Sequence, residues 1–137
     1  MIENDMILAF YKRNDQFKER AVRLFSKIER GELGVVMVPS IFSIELFYVL
    51  RKTTGTASVR DVVSHIITYP NISVIPSRID HFVAALFLLE TYQLTSIFDA
   101  IYAAVALSED NPDHTIVSTD QIYDRVEGLR RIDPVDV

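Results

Sequence analysis

Three short apolar runs, separated by helical patterns, constrain this chain more than any other feature: Val35–Val38 in GVVMVPS, Ile72–Ile75 in NISVIPS and TIVS at 115–118, with a last short strand expected near Arg131 and Ile132. A continuous apolar run, without in-out alternation, is a strand buried on both faces. Between the runs, apolar residues recur at helical spacing. Phe17, Ala21, Leu24, Phe25 and Ile28 line one face of a helix ended by Gly31, and Ser40, after Pro39, is placed to cap a helix from Ile41 to about Lys52. Further helices are expected over Ser58–Tyr69, Ile79–Tyr92 and Ile97–Leu107, with a short helical turn over Ile122–Val126. Buried strands alternating with helices predict an α/β fold, a three-layer α/β/α sandwich around a central, mainly parallel sheet. In such a sheet the ligand site lies at the carboxyl ends of the strands.

At 137 residues, 49% of them hydrophobic, the chain is expected to form one domain over 1–137. No apolar run reaches the roughly 18 residues of a membrane helix, and no signal-like segment opens the chain, so the expectation is a cytoplasmic protein with no membrane role. It contains no cysteine, and its three histidines, His65, His81 and His114, form no metal-binding pair, so they are read as surface or loop residues. Charge is unevenly spread. Residues 1–60 hold ten Lys and Arg against seven acids, the remainder four against twelve. That balance argues against wrapping of nucleic acid and leaves local contact through basic residues of the first half, such as Lys12, Arg13, Arg51, Lys52 and Arg60.

The acids carry the chemistry. Glu45 has Ile41, Phe42, Tyr48 and Val49 as its helical neighbours, so it faces inward unless it reaches out or pairs with Arg51 or Lys52. Asp99 stands among Ile97, Phe98, Ala100, Ile101 and Tyr102, where an ionised carboxylate is costly without a partner. With Ser96 it also matches a capping box. Asp120 follows TIVST, at the carboxyl end of an expected strand, an address shared by functional acids and by helix caps. Ser118 is placed to contact a phosphate or a water, or to cap. Glu3 and Asp5 precede an apolar run and, taken alone, read as solvent-facing terminal acids. Carboxylates gathered at one point repel by about 4 kcal/mol per pair at 4 Å for an effective dielectric near 20. An all-oxygen cluster therefore calls for a hard divalent cation, Mg²⁺ or Mn²⁺.

Four stretches in this order, ENDMILAFYKRNDQFKERA, VPSIFSIELFYVLRK, IFDAIYAAVA and IVSTDQIYDRVEGL, resemble the PIN domain family, in particular the toxin ribonucleases of VapBC toxin–antitoxin pairs. The resemblance implies metal-site positions for Glu45, Asp99 and Asp120 and a hydroxyl position for Ser118. Glu3 stands where the family has its leading aspartate and Asp5 where asparagine is usual. It further implies a metal-dependent endoribonuclease acting on RNA, an antitoxin partner and a homodimer. The alternative, a degenerate PIN-like domain that binds RNA or protein without cutting, draws on the altered first motif.

Overall fold

All three apolar runs form strands, and so does the stretch at Arg130–Ile132. The computed structural model describes residues 1–53 and 55–137, with α1 (Asn4–Tyr11), α2 (Lys18–Glu29), β1 (Val36–Pro39), α3 (Phe42–Leu50) and α4 (Thr56–Ile67) in its first half. The second half holds β2 (Ile72–Ile75), α5 (Ile79–Tyr92), α6 (Ile97–Ala106), β3 (Thr115–Val117), a 3-10 turn (Gln121–Arg125) and β4 (Arg130–Ile132). β1 pairs with β2 and β3 with β4, both parallel, setting Val36 opposite Ile72 and Thr115 opposite Arg130. Ile2 joins the two pairs. It bridges to Val117, while its N–H donates to the Met37 carbonyl at 3.0 Å and the Glu3 N–H to that of Val117 at 3.2 Å. The spatial order is thus β2, β1, residue 2, β3, β4, an α/β fold with parallel strands.

Side chains packed between helices and strands form a continuous apolar core that includes Ile2, Met6, Ile7, Phe25, Ile28, Leu46, Ile116 and Tyr123. Gly31 ends α2 as expected, taking φ +73°, a conformation open to glycine at little cost. Asn71 seals the same end by donating its amide to the Ile28 carbonyl at 2.8 Å. α6 is buried from Asp99 to Ala106, and its alanines, Ala100, Ala103, Ala104 and Ala106, allow close approach by α5 and β3. No single helix among the described residues is long and apolar enough to cross a membrane.

Several local expectations are corrected. The opening apolar run is a helix, α1, whose Met6, Ile7 and Ala9 are buried and whose first turn carries Asp5, favourable at a helix N-terminus. Ser40 does not cap α3. Its hydroxyl donates to Ser77 Oγ at 3.1 Å and accepts the Ser77 N–H at 2.9 Å, tying the exit of β1 to that of β2. Pro39 belongs to β1 as its last residue, a position where its missing N–H is tolerated. His81 is buried rather than superficial: its Nδ1 accepts the Arg78 N–H at 3.2 Å and its Nε2 lies 3.3 Å from Asp110.

Asn111 links α6 to β3 from a buried position, donating to the carbonyls of Ala106 at 2.8 Å and Thr115 at 3.1 Å. Asn111→Ala removes both bonds and leaves the Ala106 carbonyl unpaired, while Thr115 O keeps the Met1 ammonium at 3.3 Å, so urea denaturation should show a loss of about 2 kcal/mol with an unchanged m-value.

Candidate functional site

Three helices and one strand end deliver the acids. Glu3 leaves the sheet directly after the Ile2 bridge, while Asp5, Glu45 and Asp99 sit in the first turns of α1, α3 and α6. Helix N-termini carry partial positive charge, so each of these three carboxylates is placed where its own helix favours it. Asp120 follows β3 and caps the 3-10 turn by accepting the Ile122 N–H at 2.9 Å.

The Glu3 carboxylate is buried and accepts the Ser118 hydroxyl. Asp5 Oδ2 accepts both the N–H and the hydroxyl of Thr119, each at 2.7 Å, with Ser118 Oγ at 3.4 Å. Ser118 Oγ also accepts the Asp120 N–H at 2.9 Å, so this one hydroxyl links Glu3, Asp5 and the Asp120 backbone. Asp99 closes the capping box foreseen in the sequence: its Oδ2 accepts the Ser96 N–H at 3.0 Å and the Thr95 hydroxyl at 2.7 Å. Both bonds fall on Oδ2. Capping and a ligand role are therefore compatible at Asp99.

Electrostatics tie Glu3, Asp5, Glu45 and Asp99 to one another. Burial holds the Glu3 carboxyl well above its ordinary range, and the charges of Asp5 and Glu45 add to the effect. Burial also lifts Asp5, against the opposing pull of its Thr119 bonds. Glu45 is pushed up to about 7, first by burial and then by Asp99 and Asp5. Glu3, Asp5, Glu45 and Asp99 thus form one interacting group, whereas Asp120 is exposed and attached to it through Ser118.

Three residues that the sequence reading left out complete the site: Asn4, Tyr102 and Tyr123. Five buried polar atoms here, Glu45 Oε2, Asn4 Oδ1 and Nδ2, and the hydroxyls of Tyr102 and Tyr123, have no hydrogen-bond partner. Tyr102 lies beside Glu45 and Tyr123 beside Glu3, close enough to be felt by those carboxyls though short of a formed bond. Their signal was spacing: Tyr102 stands three residues after Asp99, Tyr123 three after Asp120, and Asn4 between two acids. Buried groups of this kind are normally satisfied by water or an ion. An oxygen-only donor set of acidic carboxylates and the Asn4 carbonyl suits a hard divalent cation in kind and in charge. Among the described residues, no three acids or histidines are yet gathered tightly enough to chelate one.

The pH dependence of stability follows from the raised carboxyls. Between the ordinary glutamate value of 4.5 and about 7, the folded protein holds a proton on Glu45 that the unfolded chain has released. In EDTA, stability should therefore be greatest below pH 4.5 as far as this group is concerned and fall as pH rises to 7, by about 3 kcal/mol. Urea titrations across that range should show the slope, and Glu45→Gln should reduce it, leaving the part that Glu3 and Asp5 contribute.

The comparisons with known proteins bear on the family and the fold. The PIN domain model matches residues 4–129. Among solved structures, VapBC2 from Rickettsia felis, bound to a DNA fragment from the promoter of that pair, superposes with a TM-score of 0.70 at 15% identity, covering 96% of each chain. No curated protein matches the chain. With the family model matching residues 4–129 of its 137, this chain belongs to the PIN domain family.

Proposed function

We propose that this protein is an endoribonuclease dependent on Mg²⁺ or Mn²⁺ and acts as the toxin of a toxin–antitoxin pair. Five unpartnered buried polar atoms within a group of interacting acids carry the reading. Glu45, Asp99 and Asp120 would hold the ion, with Glu3 or Asp5 as the remaining acid. The ion, when bound, offsets the carboxylate charge and supplies the Lewis acidity and the activated water that phosphodiester hydrolysis needs. Asp99 offers Oδ1, the oxygen its cap bonds leave free, and Glu45 Oε2 is placed to orient the attacking water. Ser118 and the Asn4 amide stand beside them as donors to a phosphate oxygen or a water. Tyr102 and Tyr123 close the floor of the site and exclude bulk water, which strengthens every charge interaction within it.

Partner binding is supported by apolar side chains that two helices leave in solvent. On α3 these are Ile44, Phe47, Tyr48 and Val49, next to Glu45, and this face suits an antitoxin segment. On α5 they are Ile79, Val83, Leu86 and Phe87, which suit a second copy in a homodimer. The VapBC2 likeness supports an antitoxin of the same general kind.

A second reading, a PIN-like domain that binds without cutting, is favoured by the first motif, where Ser118 and Thr119 already engage Glu3 and Asp5. Two measurements separate the readings. The nuclease should cleave single-stranded RNA with Mn²⁺ or Mg²⁺ and not in EDTA, and Asp99→Asn should lower the rate at least 100-fold. Mn²⁺ at about 100 times its Kd should stabilise the fold by about 2.7 kcal/mol, since it binds only the folded state. Undiminished cleavage by Asp99→Asn excludes the mechanism, and neither cleavage nor a Tm shift with metal favours the binding module.

A further inference from the structure

Arg131, the middle residue of β4, engages all three of its guanidinium nitrogens inside the protein. Nε donates to Asp124 Oδ1 at 2.9 Å and Nη2 to Asp124 Oδ2 at 3.1 Å, a two-pronged bond that fixes the plane of the group. Nη1 donates to the Ser118 carbonyl at 3.0 Å and lies 3.6 Å from Asp133, which in turn meets Arg20 of α2 at 3.4 Å. Among the described residues no other arginine in an ion pair is so covered: its side chain is 11% exposed, the others 39% or more. An exposed ion pair contributes little, whereas a covered guanidinium with every nitrogen bonded holds its partners in one geometry.

What it holds is the segment that joins the acids. Ser118 is the first residue past β3, and its N–H still donates to the Ile132 carbonyl of β4 at 3.2 Å. The paired register ends at Val117 and Ile132, and Arg131 takes the carbonyl of Ser118. Ser118 is thereby gripped from β4 on both sides of its Cα. Its hydroxyl reaches Glu3 and Asp5 and accepts the Asp120 N–H at 2.9 Å. Thr119 follows, with its N–H and its hydroxyl each on Asp5 at 2.7 Å. The Asp124 prong anchors the 3-10 turn one residue after Tyr123, whose buried side chain lies beside Glu3.

We propose that Arg131 is a positioning residue of the candidate site: it sets Ser118, Thr119 and Asp120 against Glu3 and Asp5, so that the carboxylates keep their spacing when an ion binds. The ion rests on the nuclease reading above; the hold on the segment rests on the hydrogen bonds alone. A direct contact with RNA is the other use an arginine beside such a site has. Here every nitrogen is already engaged, so this one aligns other groups instead. Lysine does not replace it, because an ammonium is a single point of charge without a planar fork to span Asp124 and reach Ser118 together. Residues one layer out from metal ligands set the orientation of those ligands, and their loss weakens metal affinity by about 10- to 100-fold.

The test is amide hydrogen exchange by NMR on the metal-free protein in EDTA, followed by Mn²⁺ titration and RNA cleavage kinetics. In Arg131→Ala the Thr119 and Asp120 N–H groups should exchange about tenfold faster, while those of Val36 and Ser40, which bond Asn71 and Ile75 in the other strand pair, keep the parent rate. Mn²⁺ should bind about tenfold more weakly, and kcat should fall by a similar factor with KM within about twofold of the parent. Arg131→Lys, which keeps the charge, should behave as Arg131→Ala does. Arg20→Ala removes a cation from the outer end of the same chain of ion pairs and should match the parent in all three readouts. Asp124→Ala, at a half-exposed partner, frees the guanidinium and stands in for Arg131→Ala if that variant does not fold. Unchanged exchange at Thr119 and Asp120 overturns the proposal. So does equal acceleration at Val36 and Ser40, which marks a general loss of stability, or parent-like behaviour of Arg131→Lys, which marks charge alone. A rise in KM with kcat intact, which marks a contact with RNA, overturns it too. The two readings fail separately. A parent that cleaves RNA while Arg131→Ala changes neither exchange nor kcat keeps the nuclease and loses the role of Arg131. Faster exchange confined to Thr119 and Asp120, in a protein that neither binds Mn²⁺ nor cleaves RNA, keeps Arg131 as the anchor of the segment and loses the nuclease.

Discussion

Ile2 makes one sheet out of two. Its fully buried side chain and the hydrogen bonds on either side of it hold β1 and β3 together, the Val117 N–H reaching the Met1 carbonyl at 2.8 Å. Parallel strands need long crossovers, and here those crossovers contain the helices. The chain leaves the sheet from residue 2, β1 and β3 at one end, so Glu3, Asp5, Glu45 and the Ser118–Asp120 segment all emerge there. Glu3 is the next residue after the bridge. Any shift of the bridge is therefore also a shift of the site.

The site runs against the stability of the rest. A buried carboxylate loses its hydration, and like charges close together raise the cost further. Glu3, Asp5 and Glu45 all respond by holding protons more tightly than free acids do. Ser118 and Thr119 offset part of this penalty through hydrogen bonds, and Asp99 is offset by its own helix cap. The packed core supplies the remainder, with Phe10 stacked on Phe25 at 4.2 Å and Tyr69 set edge-on against both. Unspent hydrogen-bonding capacity at Asn4, Glu45, Tyr102 and Tyr123 marks the place where the fold is least satisfied in itself. A cation with its waters would satisfy it.

Much of the fold was legible because its signals are local. Runs such as VMV and TIV form largely buried strands, ISVI forms a strand with Ser73 exposed and only Ile75 buried, and helical spacing around Leu24, Phe25 and Ile28 gave a helix ended at Gly31. The helix over Asn4–Tyr11 escaped because its short apolar run, Met6–Tyr11, does not distinguish strand from helix by periodicity. Ser40 misled for a related reason: a serine before a helix is a good cap until a closer partner exists, and Ser77 is that partner only once β1 and β2 are paired. His81 looked superficial because nothing in its neighbours foretells Asp110.

At the site, residue types and spacing sufficed to single out Glu3, Asp5, Glu45, Asp99, Ser118 and Asp120, since acids among apolar residues need a reason to be there. Which of them interact was decided by tertiary structure. Glu3 and Asp5, unremarkable as terminal acids, are buried and half-buried because Ile2 is drawn between two strands, and Asp120 stays exposed where it caps the turn after β3. The sequence by itself determined the elements and the inventory of chemical groups, as these depend on neighbours a few residues away. Burial, charge coupling and the meeting of acids from distant segments depend on contacts across the whole chain, and only the folded sheet creates those.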